Sequence, residues 1–361
     1  MSETVKGLLF KNGQPDGAYF FFADACPLCD SKRLKKLFRQ WGIGYFRCKE
    51  CEFAFSNPRL TDKGAYRWYN SDYYNAAMET EHYIAENYSK YYSISLNEYH
   101  FKKTIRLFEG RDFPRNVSIA DLGCGSGAIL HYLKDELGYI HVKGFDLNVS
   151  NIEFARRFRG IEIENADIYE LDAGKKFDVV ITTENIEHVS HPNAYIEQIK
   201  KLVKPGGYIL LTTPHNDKTA TNLMGLSGDH FCGPNHQNYF NYQNLSDLIV
   251  SHGFDVVDYW IDNRTRLNPY AFLKRFLIQR DQVTAFPPVK VSQKTIWKWQ
   301  KDRHQSVIVS SFNAIPATPI DLQNANVSEK ISLKNRMKKI LGALIPVKFR
   351  THQIILAKYK P

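Results

Sequence analysis

The 361 residues have a globular composition, with 43% hydrophobic and 24% charged side chains, and their number suggests one main domain with additional segments. They contain no run near the roughly 20 apolar residues of a membrane-spanning helix. The N-terminus lacks the layout of a secretion signal, so we expect a cytosolic protein. The net charge of +10 is uneven: residues 329–361 hold nine Lys or Arg and one acid, which leaves +2 for the other 328 residues and excludes a strongly basic main domain.

After a lead-in over residues 1–23, four of the six cysteines form two Cys-x-x-Cys pairs separated by 18 residues. The pairs are Cys26 with Cys29 and Cys48 with Cys51. Four thiolates satisfy tetrahedral zinc, and a closed site of this kind leaves no position for catalysis. We therefore predict a structural zinc site in a small module over residues 24–60. A redox dithiol is the alternative.

Residues 61–112 are rich in tyrosine and charge and are predicted to form a helical connector that covers the next domain. From Val117 onwards, short apolar runs alternate with helical segments, which predicts an α/β domain with a mostly parallel sheet and helices on both faces. The seventh strand is predicted over Gln305–Phe312. The predicted limits are 113–315 for this domain, with insertions at 215–241 and 263–304, and 316–361 for a basic tail.

The segment between the first strand and the first helix of this domain reads Asp121-Leu-Gly-Cys-Gly-Ser-Gly127. Glycines let the backbone approach a ligand closely, and the helix that follows offers free N–H groups at its start. Asp146 ends the second strand, where a carboxylate can accept both hydroxyls of a ribose. Asp167 follows the third strand and could receive an adenine amino group. A nucleoside site is predicted; a glycine turn that binds nothing is the alternative.

This glycine segment closely resembles the first motif of class I methyltransferases, and Phe177-Asp-Val-Val and Lys204-Pro-Gly-Gly207 resemble their fourth and fifth strand signatures. A dinucleotide loop would read G-x-G-x-x-G, and Asp121 would repel its phosphates. The resemblance covers about residues 113–262. It implies a Rossmann-like fold of seven strands that binds S-adenosylmethionine. The implied cofactor-binding residues are Asp121, Gly123, Cys124, Gly125, Gly127, Asp146, Leu147, Asp167, Ile168 and Glu184.

The segment after the fourth strand, Glu184-Asn-Ile-Glu-His188, resembles the E-x-x-E-H segment of ubiquinone-biosynthesis O-methyltransferases and small-RNA 2′-O-methyltransferases. In those families the two acids and the histidine can hold a divalent cation, which would lower the pKa of a substrate hydroxyl. The resemblance implies such a cation at Glu184, Glu187 and His188. The alternative is a supporting role, in which the acid caps a helix and the histidine packs under the cofactor.

The insertion over residues 215–241 is rich in Gly, Asn and His, which favours a segment that covers the substrate. His236 precedes a helix that begins near Tyr242. A histidine there could act as general base on a hydroxyl, because its pKa lies near neutrality. His236, His188 and Glu187 form the predicted catalytic set, with His230 as a further candidate. The alternative for His236 is that it caps or packs the following helix.

Two aromatic stretches follow the cysteine pairs, Phe53-Ala-Phe-Ser-Asn-Pro-Arg59 and Trp68-Tyr-Asn-Ser-Asp-Tyr-Tyr74. They resemble methyltransferases of surface-polysaccharide, deoxysugar and natural-product biosynthesis that carry an N-terminal zinc ribbon. In that group the aromatic connector lies near the active site. Tyr73 and Tyr74 could therefore touch cofactor or substrate, and half-buried packing is the alternative.

The tail is predicted to include a basic amphipathic helix, because apolar side chains over Leu333–Leu344 follow helical spacing. Such a helix could lie on an anionic membrane at its inner surface, pack on the protein or on another copy, or bind RNA phosphates. The near-balanced charge of the body argues against nucleic acid.

The expected function is methyl transfer from S-adenosylmethionine to a small-molecule or glycan acceptor, with O-methylation of a sugar or cell-envelope saccharide as the specific hypothesis. C-methylation of a nucleotide sugar and RNA methylation are alternatives. A non-catalytic protein that kept the cofactor fold is a further one, since a fold does not by itself define an activity.

Overall fold

The computed structural model describes residues 8–40, 42–72, 110–218, 233–262, 265–266, 348–349 and 352–360, with the single residues 74, 104, 106, 108 and 231. No helix within this part of the chain is both long and apolar enough to cross a membrane. Several positions considered above lie outside the described residues: Tyr73, residues 75–103 of the connector, residues 219–230 of the first insertion with His230, most of the second insertion, Gln305–Phe312 and Leu333–Leu344.

The described elements of the N-terminal part are short strands followed by a helix. Its elements are β1 (Phe10–Lys11), β2 (Gln14–Pro15), β3 (Phe20–Phe21), β4 (Leu34–Gln40), β5 (Ile43–Cys48), β6 (Ala54–Asn57), β7 (Arg59–Leu60) and α1 (Asp62–Tyr69). The helix starts at Thr61, whose side chain accepts from the backbone N–H of Gly64. This bond satisfies a donor that the first turn leaves free.

The remaining elements alternate between strands and helices. They are β8 (Ser118–Leu122), α2 (Ala128–His131, continued by a π-helical turn over Tyr132–Glu136), β9 (His141–Asp146), α3 (Val149–Arg159), β10 (Ile163–Asn165), a 3₁₀ turn (Ile168–Glu170), β11 (Phe177–Thr183), α4 (Pro192–Leu202), β12 (Val203–Pro214), β13 (Asn238–Tyr239), α5 (Tyr242–Ser251), β14 (Phe254–Asp262), β15 (Thr265–Arg266), β16 (Lys348–Phe349) and β17 (His352–Tyr359).

Seven strands form the central sheet in the order β10-β9-β8-β11-β12-β17-β14. The pairs on the β10 side of β12 are parallel, and β17 runs antiparallel to both of its neighbours. Side chains of α2 pack on one face of the sheet, and those of α4 and α5 pack on the other. The predicted fold class, an α/β domain with a mostly parallel sheet of seven strands, is confirmed.

The order in which the chain adds strands to the sheet reverses between β8 and β11, although these two strands are parallel. From β8 the chain continues to β9 and β10 on one side, and then returns to β11 and β12 on the other. Open α/β sheets bind ligands at such a point, outside the carboxyl ends of the strands. Residues 123–127 follow β8 and residues 184–188 follow β11, so the topology brings the two predicted site segments together.

The strand β17 corrects the predicted domain limits. It lies between β12 and β14, where Ala357 is opposite both Ile209 and Val256. Its run Ile354-Ile-Leu-Ala357 is fully buried, as expected for a strand covered on both faces. The assignment of 316–361 to a basic helical tail is therefore wrong for residues 352–359, which complete the sheet.

The cysteine module is continuous with the α/β domain. The strand β13, from the insertion after β12, pairs with β6 and extends the sheet β6-β5-β4 of the module. Phe53 and Phe55 share one hydrophobic core with Leu245 and Leu248 of α5. This shared core holds the module against the sheet edge where the site segments lie.

Candidate active site

The loop after β8 depends on its alternating glycines. Gly123, Gly125 and Gly127 have φ angles of +67°, +55° and +72°, in the left-handed region that favours glycine. At Gly123 an added Cβ would also lie 1.4 Å from Nδ2 of Asn185, so the loop packs directly on the segment after β11. These constraints explain why the loop needs glycine at every second position.

Asp146 is tied to this loop at the end of β9. Its Oδ2 accepts from the N–H of Gly125 at 2.7 Å, and its Oδ1 accepts from the N–H of Asn148 at 2.7 Å. Cys124 packs beside it against β9, because a Cβ on Gly144 would meet its Sγ at 2.8 Å. Burial raises the pKa of the Cys124 thiol well above its ordinary value, which keeps it neutral.

Asp121 lies beneath the loop and is only 1% exposed. Its Oδ1 has no hydrogen-bond partner among the described residues. Burial, with a smaller contribution from the charge of Asp146, raises the pKa of Asp121 well above its ordinary value. A buried carboxylate oxygen in this state would be stabilised by a cationic ligand group.

Asp167, after β10, caps the 3₁₀ turn, where its Oδ1 accepts from the N–H of Tyr169 at 3.0 Å. Burial raises the pKa of this carboxyl group as well. The neighbouring Ile168 packs against the main core, and the carbonyl of Leu147 accepts from the side chain of Asn70 at 3.1 Å. All the loop residues and acids predicted to bind the cofactor therefore flank the same edge of the sheet.

The glycine loop with Asp121, Asp146 and Asp167 forms the first wall of the site. Glu187 and His188 form the second wall. Nδ1 of His188 donates to the carbonyl of Asn235 at 2.9 Å, and Nε2 of His188 lies 3.7 Å from Oε1 of Glu187. The hydroxyl of Thr213 donates to Oε2 of Glu187 at 2.8 Å. Burial lowers the pKa of His188, whereas burial and the nearby charge of Glu184 raise the pKa of Glu187.

His236 completes this wall. The centroids of its ring and the His188 ring are 4.8 Å apart. Glu187, His188 and His236 each offer a ligand atom, and these atoms lie within 4.8 Å of one another. Glu184 is not part of this group. Its Oε1 accepts from the Thr212 hydroxyl at 2.9 Å, and its Oε2 lies 3.5 Å from Nε2 of His352.

The C-terminal end of α1 joins the two walls. The side chain of Asn148 donates to the carbonyl of Tyr69 at 2.6 Å, beside the acid that ends β9. The ring of Tyr69 lies perpendicular to His188 with centroids 5.9 Å apart. Tyr74 contacts the rings of Trp68 and Tyr69. This end of the aromatic connector therefore lies beside the site. Tyr69 contacts His188, and Tyr74 contacts Tyr69.

The four paired cysteines converge on one point of the module. Their Sγ atoms lie within 4.8 Å of one another, with 3.6 Å between Cys26 and Cys51 and 3.6 Å between Cys29 and Cys48. Sulfurs at about 2.3 Å from a tetrahedral zinc ion would be about 3.8 Å apart, so the donor set fits this metal. A hydrogen bond with the thiol of Cys51 lowers the pKa of Cys26 to about 5.

Comparison with known proteins identifies the domain that carries these segments. A family model described as a methyltransferase domain matches residues 92–259, which include the glycine loop, Asp146 and the Glu187–His188 pair. Over the matched residues the core of this chain is similar to the methyltransferase-domain family. These residues include both walls of the site up to α5, whereas β17 lies beyond them. We refer to the α/β domain that contains the matched residues as the methyltransferase domain.

Curated relatives match the methyltransferase domain over part of their length. The chain is 31% identical over 134 residues to the ubiquinone biosynthesis O-methyltransferase of Chelativorans sp. (strain BNC1), which covers 36% of this chain and 50% of the relative. It is 34% identical over 122 residues to the ubiquinone biosynthesis O-methyltransferase of Rickettsia conorii, and this match covers 32% of this chain and 42% of the relative. The chain spans about half the length of these curated relatives.

A solved structure with a similar fold is magnesium protoporphyrin IX methyltransferase from Synechocystis PCC 6803 with bound SAH. It is 16% identical with a TM-score of 0.44, and the match covers 56% of this chain and 93% of that one.

Three residues of the methyltransferase domain that contribute to the site were not predicted from the sequence. Asn185 packs on Gly123, Thr213 donates to Glu187, and the backbone of Asn235 accepts from His188. Asn235 contributes a carbonyl group, which every residue has, so no side-chain pattern indicates it. Asn185 is the one that a pattern could have indicated, because it lies inside the segment Glu184–His188.

Proposed function

We propose that the methyltransferase domain transfers a methyl group from S-adenosylmethionine to a hydroxyl of a small-molecule or glycan acceptor. The observation that carries this proposal is the buried carboxylate of Asp121 beneath the glycine loop, with one oxygen that has no partner among the described residues. The cationic amino-acid end of S-adenosylmethionine would satisfy that oxygen. Asp146, at the end of the next strand, is placed to accept from ribose hydroxyls.

In the proposed reaction His188 is the general base. Its Nδ1 carries the hydrogen that the Asn235 carbonyl accepts, so in the neutral ring Nε2 carries the lone pair that would take the proton of the acceptor hydroxyl. When bound, S-adenosylmethionine would supply the methyl group to the acceptor oxygen and would leave as the neutral thioether. Glu187 lies 3.7 Å from Nε2 and would stabilise the imidazolium that forms.

A divalent cation on Glu187, His188 and His236 is the competing mechanism, since these three side chains can share one ion. The two mechanisms make opposite predictions for chelation. With His188 as base, brief exposure to EDTA that leaves the bound zinc in place does not change the rate. A rate that is lost with EDTA and restored by Mg²⁺ would instead assign the three side chains to a cation.

The acceptor is proposed to be a sugar or cell-envelope saccharide. The rings of Tyr69 and Tyr74, which are both partly exposed, lie in contact beside His188, and partly exposed aromatic rings can pack on the apolar face of a sugar ring. The curated relatives are named as O-methyltransferases, which supports oxygen as the methylated atom.

The donor is tested by calorimetry with S-adenosylmethionine and its demethylated product. Asp146→Asn should weaken binding about 10- to 100-fold, because it removes hydrogen bonds to a charged group worth about 1.5–3 kcal/mol. Asp178→Asn is the matched control: Asp178 lies at the opposite end of the sheet, where it contacts Ser118 and Lys204. If the unaltered protein binds neither compound, the proposal is wrong.

The acceptor is tested by incubation with labelled S-adenosylmethionine and separate fractions of nucleotide sugars, envelope saccharides and RNA. We expect label in a saccharide fraction, stable to ribonuclease and lost on cleavage of a methyl ether. Label on carbon of a nucleotide sugar would support C-methylation instead. Label that ribonuclease removes would identify RNA as the acceptor and contradict the proposed substrate class.

We further propose that the four cysteines hold a structural zinc ion. The zinc would join Cys26 and Cys29 to Cys48 and Cys51 and so stabilise the fold of the module. Cys48→Ser should lose the metal and lower the unfolding temperature, as measured by elemental analysis and calorimetry. Cys124→Ser, which changes a cysteine outside the cluster, should keep it. Retention of the zinc by Cys48→Ser would contradict this assignment.

A further inference from the structure

A buried arginine of the cysteine module reaches both loops that carry the site histidines. Arg59, in β7, is 1% exposed. Its Nε and Nη2 donate to the carbonyl of Ser190 at 3.0 and 2.8 Å, and Nη2 also donates to the carbonyl of Val189 at 3.2 Å. On the other side, Nη1 donates to the carbonyl of Gln237 at 3.2 Å and Nη2 to the side chain of Asn238 at 2.7 Å.

These acceptors are adjacent in the chain to the site histidines. Val189 and Ser190 follow His188, and Gln237 follows His236. A single planar guanidinium therefore holds both segments at a fixed separation, because its donors form a rigid fork. The two histidine rings, whose centroids are 4.8 Å apart, lie on the two segments that this fork joins.

The backbone beside Arg59 strengthens the same link. The N–H of Leu60 donates to Oε1 of Gln237 at 2.8 Å, and the carbonyl of Leu60 accepts from the Ser190 hydroxyl at 2.6 Å. The two segments also bond directly, since the N–H of Gln237 donates to the carbonyl of Glu187 at 2.7 Å. The strand β7 is thus joined by hydrogen bonds to both sides of the histidine pair.

Burying the charge of Arg59 is unfavourable for folding, so a gain in stability does not explain its presence. Burial lowers its pKa to about 10, so the guanidinium stays charged at neutral pH. Within the described residues, no carboxylate lies at ion-pair distance from it, and backbone carbonyls compensate the charge instead. Apolar residues of similar volume often replace buried ionic groups without loss of stability. The arginine is therefore better explained by the geometry that it imposes on the two loops.

We propose that Arg59 is a positioning residue that sets the separation of His188 and His236 for methyl transfer. This inference rests on the proposed function for its kinetic consequence. Its structural consequence can be measured independently, as faster hydrogen exchange of the backbone over residues 186–190 and 236–240 when the fork is removed. The module with the four cysteines would then act on the reaction through Arg59, with the backbone of Leu60 supporting the same link.

The test uses the full chain with Arg59→Met, Arg59→Lys and the control Arg47→Met. Arg47 is a second buried arginine of the same module, in β5. Rates are measured at saturating labelled S-adenosylmethionine with the saccharide fraction that takes up label. For Arg59→Met we expect kcat to fall about 100-fold per folded enzyme, as for a small misplacement of catalytic groups. The KM for S-adenosylmethionine and the zinc content should be unchanged.

Arg59→Lys should recover part of kcat, because an ammonium can bond one loop but lacks the fork that reaches both. If Arg59→Met fails to fold, Arg59→Lys serves for both measurements. Equal hydrogen exchange in Arg59→Met and Arg47→Met, or a kcat for Arg59→Met equal to that of the control, would overturn the proposal. If the unaltered protein fails to bind S-adenosylmethionine, the proposed function fails, while the exchange data still test the positioning role.

Discussion

The Nδ1 atom of His188 lies 2.9 Å from the carbonyl oxygen of Asn235. A carbonyl only accepts, so Nδ1 carries the hydrogen of the neutral ring and Nε2 keeps its lone pair. This bond selects the tautomer that a general base needs and orients the ring beside Glu187. Asn235 also accepts through its side chain from Nε1 of Trp68 at 3.3 Å, which ties the aromatic helix α1 to the same point.

Replacement of His188 should abolish most of the activity and leave donor binding intact. His188→Gln removes the base, and general-base catalysis contributes about 10²- to 10⁴-fold, so kcat should fall within this range. Calorimetry should give an unchanged affinity for S-adenosylmethionine. His141→Gln, at an exposed position where β9 begins, is the control and should have normal activity. A His188→Gln enzyme with normal kcat would exclude this residue as the base.

The activity should persist to a lower pH than an ordinary histidine would allow. Burial lowers the pKa of His188 below its usual value near 6.5, because the charged ring is disfavoured away from water. The base acts when neutral, so kcat/KM should be constant through pH 6.5 and decline only as the pH falls through the lowered pKa. The measurement is a pH profile between about pH 4.5 and 8, and an acidic limb centred at or above 6.5 would contradict it.

Asp121→Asn should stabilise the protein when no S-adenosylmethionine is bound, and it should weaken the binding of S-adenosylmethionine. Burial raises the folded-state pKa of Asp121, so its contribution to the free energy of unfolding is largest at low pH and is lost as the pH rises through that pKa. The amide does not ionise, and the variant should therefore be more stable at pH 7.5 by an amount on the order of 1–3 kcal/mol. Chemical denaturation at pH 5 and pH 7.5 tests this, since the difference should shrink at the lower pH.

Two neighbouring glycines should differ in their tolerance of alanine. At Gly123 the new Cβ would lie 1.4 Å from Nδ2 of Asn185, whereas at Gly125 the nearest atom is 4.0 Å away. Both positions have a positive φ, so each substitution carries a backbone cost of roughly 1–2 kcal/mol. Gly123→Ala must also displace Asn185, and it should lower the unfolding temperature more than Gly125→Ala in the absence of donor. Equal losses would indicate that Asn185 moves freely.

Residues near the C-terminus should behave as core residues of the methyltransferase domain. Leu356, in β17, is 1% exposed between β12 and β14, and Leu356→Ala should cost about 2–5 kcal/mol of unfolding free energy. Lys358, two residues later, is exposed, and Lys358→Ala should change stability by no more than about 0.5 kcal/mol. If both variants had the stability of the unaltered chain, β17 could not be a central strand.

Much of the fold was predictable because its signals are local. Alternating apolar and helical segments predicted the strands from β8 to β12, and the glycine loop with Asp146 predicted the first wall of the site. The strand β17 was not predictable in this way. It pairs Ala357 with Ile209, far apart in the chain, and no local pattern specifies such a pairing.

The sequence by itself determined the chemistry that the site offers: glycines where the backbone must adopt a positive φ, acids at the strand ends, and cysteines spaced for one metal ion. Only the tertiary structure decided how these groups are used. It brought a ligand atom of His236, rather than one of Glu184, within 4.8 Å of those of Glu187 and His188, and it joined both histidine loops through Arg59. The physical reason is that backbone carbonyls orient the His188 ring and receive most of the Arg59 bonds, and every residue has a carbonyl, so only folding shows which ones are in reach.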